Sequence, residues 1–374
     1  MSNPPEQPAP LAELTLFYCG HGDTLLIGSA GHWGLIDCHL TKTSGAYQQV
    51  RQRITDWGIK RLDFVCLTHP DRDHYYGMKE LLEERFFDKD SEKPAFVEFW
   101  DGGIPYPLLM AIEEKLTQGK CIVTQGLKGL YEGLIDPLMD NDRIVGRALQ
   151  GGFTPPIDFG DFLLTALAPQ WNQVQRFSAQ SAEKISGALR KECEALRETS
   201  NDLSIVLVLR HKHLPVQVIL GGDATTRAWP GAIHCWNRIL ETEGKNRDAR
   251  FAGVKVSHHG AKTSHHGPLY EGYCQGGDTV AFVSVGPDDE NHPHPDVLQH
   301  IESLGIRVYA TCWPRGAEPR AAMPESLFFF GEPEPTEHVR PHHVEGFGWS
   351  DLTVHILPED KVKVFPEEAR LVLN

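Results

Sequence analysis

The segment from His69 to His74 holds four side chains of the kinds that bind metal ions, two imidazoles and two carboxylates, at His69, Asp71, Asp73 and His74. This mixture suits zinc, manganese or iron and can supply ligands to two adjacent cations. The apolar run 62–68 directly before it predicts a buried strand, so the ligands are expected in a loop at the carboxyl end of that strand, where open α/β sheets place their sites. A solvated turn rich in Asp and His is the alternative.

Two other predicted strands end in residues of the same kind. The apolar run 216–220 is followed by two glycines and Asp223, and the predicted strand 251–256 is followed by the pair His258 and His259. A lone Asp after a strand is most often a turn or a helix cap, and a lone His is most often structural. Because three strand ends repeat the pattern, the segments together predict a metallohydrolase. Two adjacent cations would lower the pKa of a bridging water and present hydroxide to a phosphorus or a carbonyl carbon.

The remaining patterns predict strands that alternate with helices, which favours a layered α/β fold. Turn and breaker residues separate these elements. The predicted elements are a meander of three short strands (14–37), helices (48–57, 76–85, 108–116 and 180–197), a strand (95–100) and a terminal hairpin (351–357 with 361–365).

The apolar strands on either side of residues 210–215 are predicted to form an antiparallel hairpin. Its open end brings Asn201 close to Asp223, whereas its tip carries His211 and His213. The His-x-His spacing of this pair therefore indicates a solvated turn rather than a second metal site.

In order and in content, these motifs resemble the metallo-β-lactamase fold, in the variant found in the hydrolase domain of ComEC-like competence proteins. The resemblance spans residues 14–316 with gaps. The motifs that carry it are Gly20-His21-Gly22-Asp23 in the opening hairpin, Ile36-Asp37, Thr68 to His74, Asn201 with Ser204, Gly221-Gly222-Asp223, His258 to Ser264, the strand 282–286, and His292-Pro293-His294-Pro295.

The resemblance implies a four-layer αββα sandwich that holds two divalent metal ions, zinc or manganese. It implies that one ion is bound by His69 and Asp71, that the other is bound by Asp73, His74 and His259, and that Asp223 lies between them. His259 is favoured over His258 as the ligand, and His258 is left to the substrate or to a supporting role.

Other residues are expected to act around the ions. We expect Asp73 to orient the attacking water and either His292 or His294, which the resemblance places at the site, to protonate the leaving oxygen. The expected substrate-binding residues are Lys262, Thr263, Ser264 and Asn201, and the residues expected to orient metal-binding histidines are Asp23 and Asp37. A capping box without a ligand is the alternative for 262–264, and plain turns are the alternative for the two aspartates.

Two features depart from the commonest pattern of the superfamily. Asp71 stands where most members have a second histidine, and no obvious histidine supplies the ligand of the separate third motif. The first metal position is therefore expected to be weaker, to be richer in oxygen, or to be completed by Asn201, Asp202 or water. Manganese or magnesium then becomes an occupant to consider beside zinc.

The composition sets limits on the class of protein. A chain of 374 residues with 40% hydrophobic residues can bury a large core, and no apolar run is long enough to cross a bilayer. The eight cysteines are scattered singly without a Cys-x-x-Cys spacing, and the start has no basic region followed by an apolar one, so a cytoplasmic protein with reduced thiols is expected. The formal charge of −15 opposes long-range attraction to nucleic acid, so such a substrate would need the metals or a local basic groove.

We expect one catalytic domain over residues 14–316, with a disordered lead at 1–13 and a partly helical insertion at about 104–200. An extension over 317–374 is expected to pack on the same domain, and its histidines at 338, 342 and 343 belong to an irregular flap. The favoured function is a phosphodiesterase or nuclease acting on single-stranded or short nucleic acid or on nucleotides. Hydrolysis of a lactone, thioester or amide is the alternative, and a metal-stabilised regulatory module that binds a protein partner is the second alternative.

Overall fold

Two β-sheets pack face to face, and helices cover both outer faces. The computed structural model describes residues 9–40, 45–88, 93–117, 123–187, 200–244, 249–274, 276–286, 292–312, 351–357 and 361–365. Most of the predicted amino-terminal lead, the second part of the predicted helix 180–197 and the first part of the predicted extension, with its three histidines, lie outside the described residues.

The strands of the described chain are mostly short and apolar. In chain order they are β1 (Ala12–Leu16), β2 (Leu25–Ser29), β3 (His32–Ile36), β4 (Leu62–Cys66), β5 (Phe87–Asp88), β6 (Lys93–Pro94), β7 (Phe96–Asp101), β8 (Val145–Ala148), β9 (Ile157–Phe159), β10 (Phe162–Ala168), β11 (Val206–His211), β12 (Gln217–Leu220), β13 (Gly253–Lys255), β14 (Val280–Val283), β15 (Arg307–Ala310), β16 (Leu352–Ile356) and β17 (Val362–Phe365).

The helices lie between these strands. They are α1 (Gly45–Asp56), α2 (Arg72–Tyr75), α3 (Met78–Arg85), α4 (Tyr106–Thr117), α5 (Val123–Leu130), α6 (Asp136–Asp140), α7 (Trp171–Gly187), α8 (Trp229–Thr242), α9 (Gly267–Tyr273) and α10 (Pro295–Ser303), with a π-helical turn at Tyr131–Ile135. Within the described residues, no helix is both long and apolar enough to cross a membrane.

The eight-stranded sheet has the order β17-β16-β1-β2-β3-β4-β7-β8, and the seven-stranded sheet has the order β15-β14-β13-β12-β11-β10-β9. Apolar side chains of both sheets, such as Phe64, Phe162 and Phe282, form one buried cluster between them. A second cluster joins the first sheet to α1, α3 and the helices of the 104–200 region, and a third joins the second sheet to α8, α9 and α10. This confirms the predicted four-layer αββα sandwich.

The predicted meander, the hairpin before Asp223 and the terminal hairpin are all present. β11 and β12 pair antiparallel, and β16 and β17 pair antiparallel and extend the first sheet beside β1. The tip between β11 and β12 is a turn in which the Nδ1 atom of His211 accepts hydrogen bonds from the backbone N–H groups of His213 and Leu214. The Nδ1 atom of His211 thus stabilises this turn.

Parallel pairing brings the functional loops to one edge of the sandwich. β3, β4 and β7 run parallel in the first sheet, and β12, β13 and β14 run parallel in the second. Since parallel strands present their carboxyl ends on the same side, the loops that follow them meet. The turn of the β1–β2 hairpin reaches the same place, because the Asp23 N–H donates to the Asp73 carbonyl oxygen at 3.1 Å.

Candidate metal centre

The predicted ligand loop follows β4 and ends in the single helical turn α2. His69 and His74 are buried within it, whereas the Asp73 side chain is 35% exposed. The loop is held in place by backbone hydrogen bonds to neighbouring loops, such as the bond from the Cys38 N–H to the His74 carbonyl oxygen at 2.7 Å.

Four side chains from three strand ends form a compact centre: Asp73, His74, Asp223 and His259. Each offers one ligand atom, and these atoms all lie within 4.8 Å of one another. The Asp223 Oδ2 atom lies 3.2 Å from His74 Nε2, and the Asp73 Oδ2 atom lies 3.7 Å from His74 Nε2 and 3.6 Å from His259 Nε2. Two imidazoles and two carboxylates at such distances form a donor set for zinc or manganese.

The donor atoms of this region lack other partners. The Nε2 atoms of His69, His74 and His259 and the Oδ1 atom of Asp223 are buried and make no hydrogen bond with the described part of the chain. An unpaired buried polar atom costs about 1–3 kcal/mol, so several at one place indicate a ligand that satisfies them. The residues therefore fit divalent cations.

His69 and Asp71 flank the compact centre at longer distances. The His69 Nε2 atom lies 3.9 Å from Asp71 Oδ2 and 3.9 Å from Asp223 Oδ2. Asp71 also accepts a hydrogen bond from the Ser200 hydroxyl at 3.1 Å, and Asn201 is buried next to Ser200. The expected residues of the first metal position thus surround Asp223 more loosely than those of the second.

Both imidazoles of the compact centre are fixed from behind. The His74 Nδ1 atom lies 2.7 Å from Asp37 Oδ2, and Asp37 also accepts hydrogen bonds from the backbone and the hydroxyl of Thr68 at 2.8 and 2.7 Å. The His259 Nδ1 atom lies 2.9 Å from the hydroxyl of Ser284, which in turn bonds Asp23. Asp37 and Asp23 therefore lie where the sequence predicts that they orient histidines.

The two adjacent histidines take different places. His259 is buried with its Nε2 atom directed at Asp73, whereas the His258 side chain is 24% exposed. His258 Nδ1 is bonded to Ser264 Oγ at 3.2 Å, its Nε2 atom lies 3.7 Å from Asp223 Oδ2, and its ring stacks on His292 at 5.1 Å. His258 and His292 thus line the centre on its more exposed side.

The backbone is strained where these ligands leave the sheet. Asp37, His258 and His259 have φ values of 56°, 49° and 52°, in the left-handed region that side chains other than glycine rarely adopt. Each such residue costs on the order of 1–3 kcal/mol, and such strain clusters at functional sites. A lone strained residue would mean little, but three within one centre support a role beyond packing.

Several predicted substrate residues have other contacts. Lys262 pairs with Asp296 at 2.8 Å on the exposed surface, and the buried Ser264 holds His258. Residues 262–264 form one 3₁₀ turn, and helix α9 begins after them at Gly267. Thr263, which is exposed, accepts a backbone hydrogen bond from Thr226 in this turn.

His294, the second predicted proton donor, caps the amino terminus of a helix. The Nδ1 atom of His294 accepts from the backbone N–H of Asp296 at 3.2 Å and caps helix α10. Of the pair His292 and His294, it is therefore His292 that contacts the rings of the centre.

Sequence reasoning missed the residues that hold the ligands. The sequence patterns give no role to Ser200, Ser284 and Lys255 and assign Ser264 to the substrate, although each contacts a residue at or next to the centre. A charged residue inside the apolar run 251–256 was the available signal, because parallel strands buried on both faces are usually apolar throughout.

The carboxylates and imidazoles of the centre shift each other's protonation. Burial lowers the pKa of His69 to about 4. Burial also lowers the pKa of His74, but the surrounding carboxylates, Asp223 foremost, raise it well above its ordinary value. Burial raises the pKa of Asp223, and the neighbouring imidazoles hold it well below its ordinary value. A divalent cation bound at the centre would therefore compete with a proton for the His74 imidazole.

Residues 17–110 match the family model of the metallo-beta-lactamase superfamily. This segment contains the ligand loop and both supporting aspartates. This segment is similar to that superfamily. The other two residues of the compact centre, Asp223 and His259, lie beyond the matched segment and reach the loop from the second sheet. This similarity and the buried donor set together support a metal-dependent hydrolase.

Solved structures with a similar fold share little sequence with this domain. The metallo-beta-lactamase fold protein YhfI from Bacillus subtilis is 11% identical, with a TM-score of 0.41 over 80% of this chain and 95% of that chain. Unliganded yeast PDE1 is 10% identical, with a TM-score of 0.35 over 80% and 87%. CmlA, a diiron beta-hydroxylase from Streptomyces venezuelae, is 16% identical, with a TM-score of 0.34 over 83% and 45%. No curated protein sequence matches the chain significantly.

Proposed function

We propose that this chain is a metal-dependent phosphodiesterase that cleaves single-stranded or short nucleic acid, or nucleotides, with two divalent ions, zinc or manganese. The observation that carries the proposal is the convergence of four unpartnered buried donor atoms beside the stacked imidazoles of His258 and His292. The likeness of the motif set to ComEC-like hydrolase domains favours phosphodiester bonds over carbonyl substrates.

In this proposal the position of each residue determines whether it binds metal or orients the attacking water. Bound divalent ions would lower the pKa of a water molecule and offset the charge of the phosphodiester. Asp73, His74, Asp223 and His259 would hold one ion, and His69 and Asp71 would hold the other together with Asp223. Asp73, the most exposed carboxylate of the compact centre, would orient the attacking water by accepting its hydrogen bond.

His258 and His292 would act on the substrate side. Attack of water on phosphorus breaks the bond to the leaving oxygen, which needs a proton, and an imidazole is the side chain that can hold one near neutral pH. We assign this donation to His292. Its ring stacks on His258, whose Nδ1 atom is already engaged by Ser264 and whose Nε2 atom is directed at the centre. His258 would then contact a phosphate oxygen through Nε2.

Metal analysis of the purified chain combined with a substrate panel tests this proposal. The panel contains bis-p-nitrophenyl phosphate, labelled single-stranded DNA, a lactone and a thioester, each with zinc, manganese or magnesium. We expect phosphodiester cleavage that Asp223→Ala abolishes and that Asp158→Ala leaves unchanged, because the Asp158 side chain is 81% exposed and, within the described part of the chain, its ion pair is with Lys212. Cleavage of carbonyl substrates alone would support the alternative hydrolase. Bound metal without hydrolysis, together with a co-purifying protein, would support the regulatory module.

A further inference from the structure

Behind the compact centre, Asp23, Asp37 and His74 form a second group of possible ligands. These side chains are buried, and one ligand atom of each lies within 4.8 Å of the others. This pocket already has a cation of its own: the ammonium group of Lys255, on β13, pairs with the Asp23 Oδ2 atom. Lys255 is only 3% exposed. Burying an ammonium group costs several kcal/mol before its partner repays any of it, so packing alone would favour an apolar residue at this position.

Lys255 is the first member of a chain of contacts that ends at a metal-binding imidazole. Its ammonium group pairs with one oxygen of Asp23, and the other oxygen of Asp23 bonds the Ser284 hydroxyl. Ser284 Oγ lies 2.9 Å from His259 Nδ1. His259 Nε2 then lies 3.6 Å from Asp73 Oδ2, inside the compact centre.

Hydrogen-bonding rules allow this series of contacts to run in one direction only, from donor to acceptor. A carboxylate paired with an ammonium group only accepts, so the Ser284 hydroxyl donates its single hydrogen to Asp23. Ser284 must then accept from His259, which places a hydrogen on His259 Nδ1. In the neutral imidazole, the form that binds a metal, the Nε2 atom of His259 consequently has a free lone pair, and it is directed at the centre.

We propose that Lys255 and Ser284 are positioning residues of the metal centre: Lys255 is a resident counter-cation that keeps Asp23 an acceptor, and Ser284 passes this polarity to His259. The other imidazole of the compact centre needs no such relay, because His74 Nδ1 contacts Asp37 directly at 2.7 Å. The two imidazoles are thus supported by different routes, one short and one long. The inference rests on the metal centre of the proposed function but not on its substrate.

Ser284→Ala tests the relay most directly, because it removes one hydroxyl and no charge. The dissociation constants of Zn²⁺ and Mn²⁺ are measured on the full chain by competition with a chromophoric chelator. Loss of the partner that orients a metal-binding histidine weakens affinity by about 10–100-fold, and we expect this loss. Ser284→Thr retains the hydroxyl and is expected to recover most of the affinity. ¹⁵N NMR of histidine should show the Nδ1–H form of His259 in the wild type and a mixture of tautomers in Ser284→Ala.

Thr279→Val is the matched control. Thr279 lies just before β14, whereas Ser284 lies just after it, and the buried Thr279 hydroxyl donates to the Phe251 carbonyl oxygen, far from the ligands along the strand. We expect this variant to lose stability and to keep the metal affinity of the wild type. If metal affinity depended only on general packing around β14, Thr279→Val would lower the metal affinity as well as the stability.

Lys255→Met tests the other end of the relay and is expected to weaken metal binding as Ser284→Ala does. If this variant does not fold, the Ser284 variants still decide. Wild-type metal affinity in Ser284→Ala would overturn the relay while leaving the proposed function intact. Metal binding that depends on Ser284 without any phosphodiester cleavage would overturn the proposed function alone. A wild-type chain that binds no metal would overturn both.

Discussion

At the scale of single residues, the neighbours His258 and His259 show how one peptide step separates two kinds of chemistry. Both have left-handed backbone conformations, which turn their side chains to different sides of the strand end. His259 is enclosed by Asp73, Ser284 and the Asp223 side of the centre, while His258 remains partly open and stacked on His292. A free-standing His-His pair in sequence gives no indication of this division.

Replacing each histidine separately should distinguish their roles. His259→Ala removes a donor atom of the compact centre, so we expect the bound metal measured by mass spectrometry to fall by one ion per chain. His258→Ala should keep the metal content and lower kcat by about 10²–10³-fold, the usual contribution of one hydrogen-bond donor to an oxygen that gains charge in the reaction. Loss of metal in His258→Ala would instead make it a ligand of the first position.

Asp351, at the start of β16, should make the stability of the fold depend on pH. Burial raises its pKa to about 6 despite the hydrogen bond that it accepts from the Tyr18 N–H at 2.9 Å. The unfolded chain releases this proton near pH 4 and the folded chain only near pH 6, so the stabilisation present at low pH is lost as the pH rises through that interval.

Asp351→Asn should therefore stabilise the protein at pH 8 by about 1–3 kcal/mol, the free energy that corresponds to a shift of this size. At pH 4.5 we expect a much smaller change. Urea unfolding at both pH values measures this difference, with Asp158→Asn as an exposed control. Equal effects of Asp351→Asn at the two pH values would contradict the assignment.

At the scale of elements, the turn at Gly77 connects the ligand loop to helix α3. Gly77 has a φ of 96°, and a Cβ atom built there would lie 1.9 Å from the Leu40 carbonyl oxygen. The loop after β3 thus packs directly against the backbone that follows His74, and it forms a bridge between His39 and Gly77. Only glycine satisfies both the dihedral angle and the close approach.

Gly77→Ala should lower the free energy of unfolding by about 2–5 kcal/mol, because left-handed strain and the clash with Leu40 add. Gly58→Ala is the matched control: Gly58 also has a positive φ of 61°, but its Cβ position is open, so a loss of about 1–2 kcal/mol is expected. Chemical denaturation of both variants measures the difference. Similar losses would mean that the turn can relax away from Leu40.

At the scale of the whole molecule, the metal centre joins the two sheets. Asp73 and His74 follow the first sheet, whereas Asp223 and His259 follow the second, so a bound cation links both halves of the sandwich. Without it, buried carboxylates and unpaired imidazole nitrogens lie close together, which disfavours the folded state. The stability of the fold and the occupancy of the centre should therefore be coupled.

Chelation should lower the melting temperature, and added metal should restore it. At a free metal concentration of about 100 times the dissociation constant, the stabilisation is about 2.7 kcal/mol. Differential scanning calorimetry of the full chain with EDTA, zinc or manganese measures this change. The Asp223→Asn variant should lose most of the response, and an unchanged melting temperature of the wild type would show that the centre does not bind the ion.

Local sequence patterns are sufficient to predict many of the strands and hairpins of this molecule. The strand before His69, the hairpin of β11 and β12 and the terminal hairpin follow from apolar runs and turn residues, because those signals act between residues near in sequence. Residues 262–264, which are predicted to bind substrate, form a tight turn beside His258, and helix α9 begins only at Gly267. The Thr226 N–H also donates to the Thr263 carbonyl oxygen in this turn, and that contact comes from a segment distant in sequence.

The sequence by itself determined which residues could bind metal and at which strand ends they stand, since ligand type and strand periodicity are local properties. Only the tertiary structure decided that Asp73, His74, Asp223 and His259 form the compact centre while His69 and Asp71 lie further from it. It also decided which histidine of the adjacent pair is enclosed, and that Lys255 and Ser284 support it. Distances of a few ångströms between residues as far apart in sequence as Asp23 and Ser284 depend on the packing of two sheets, which no local pattern specifies.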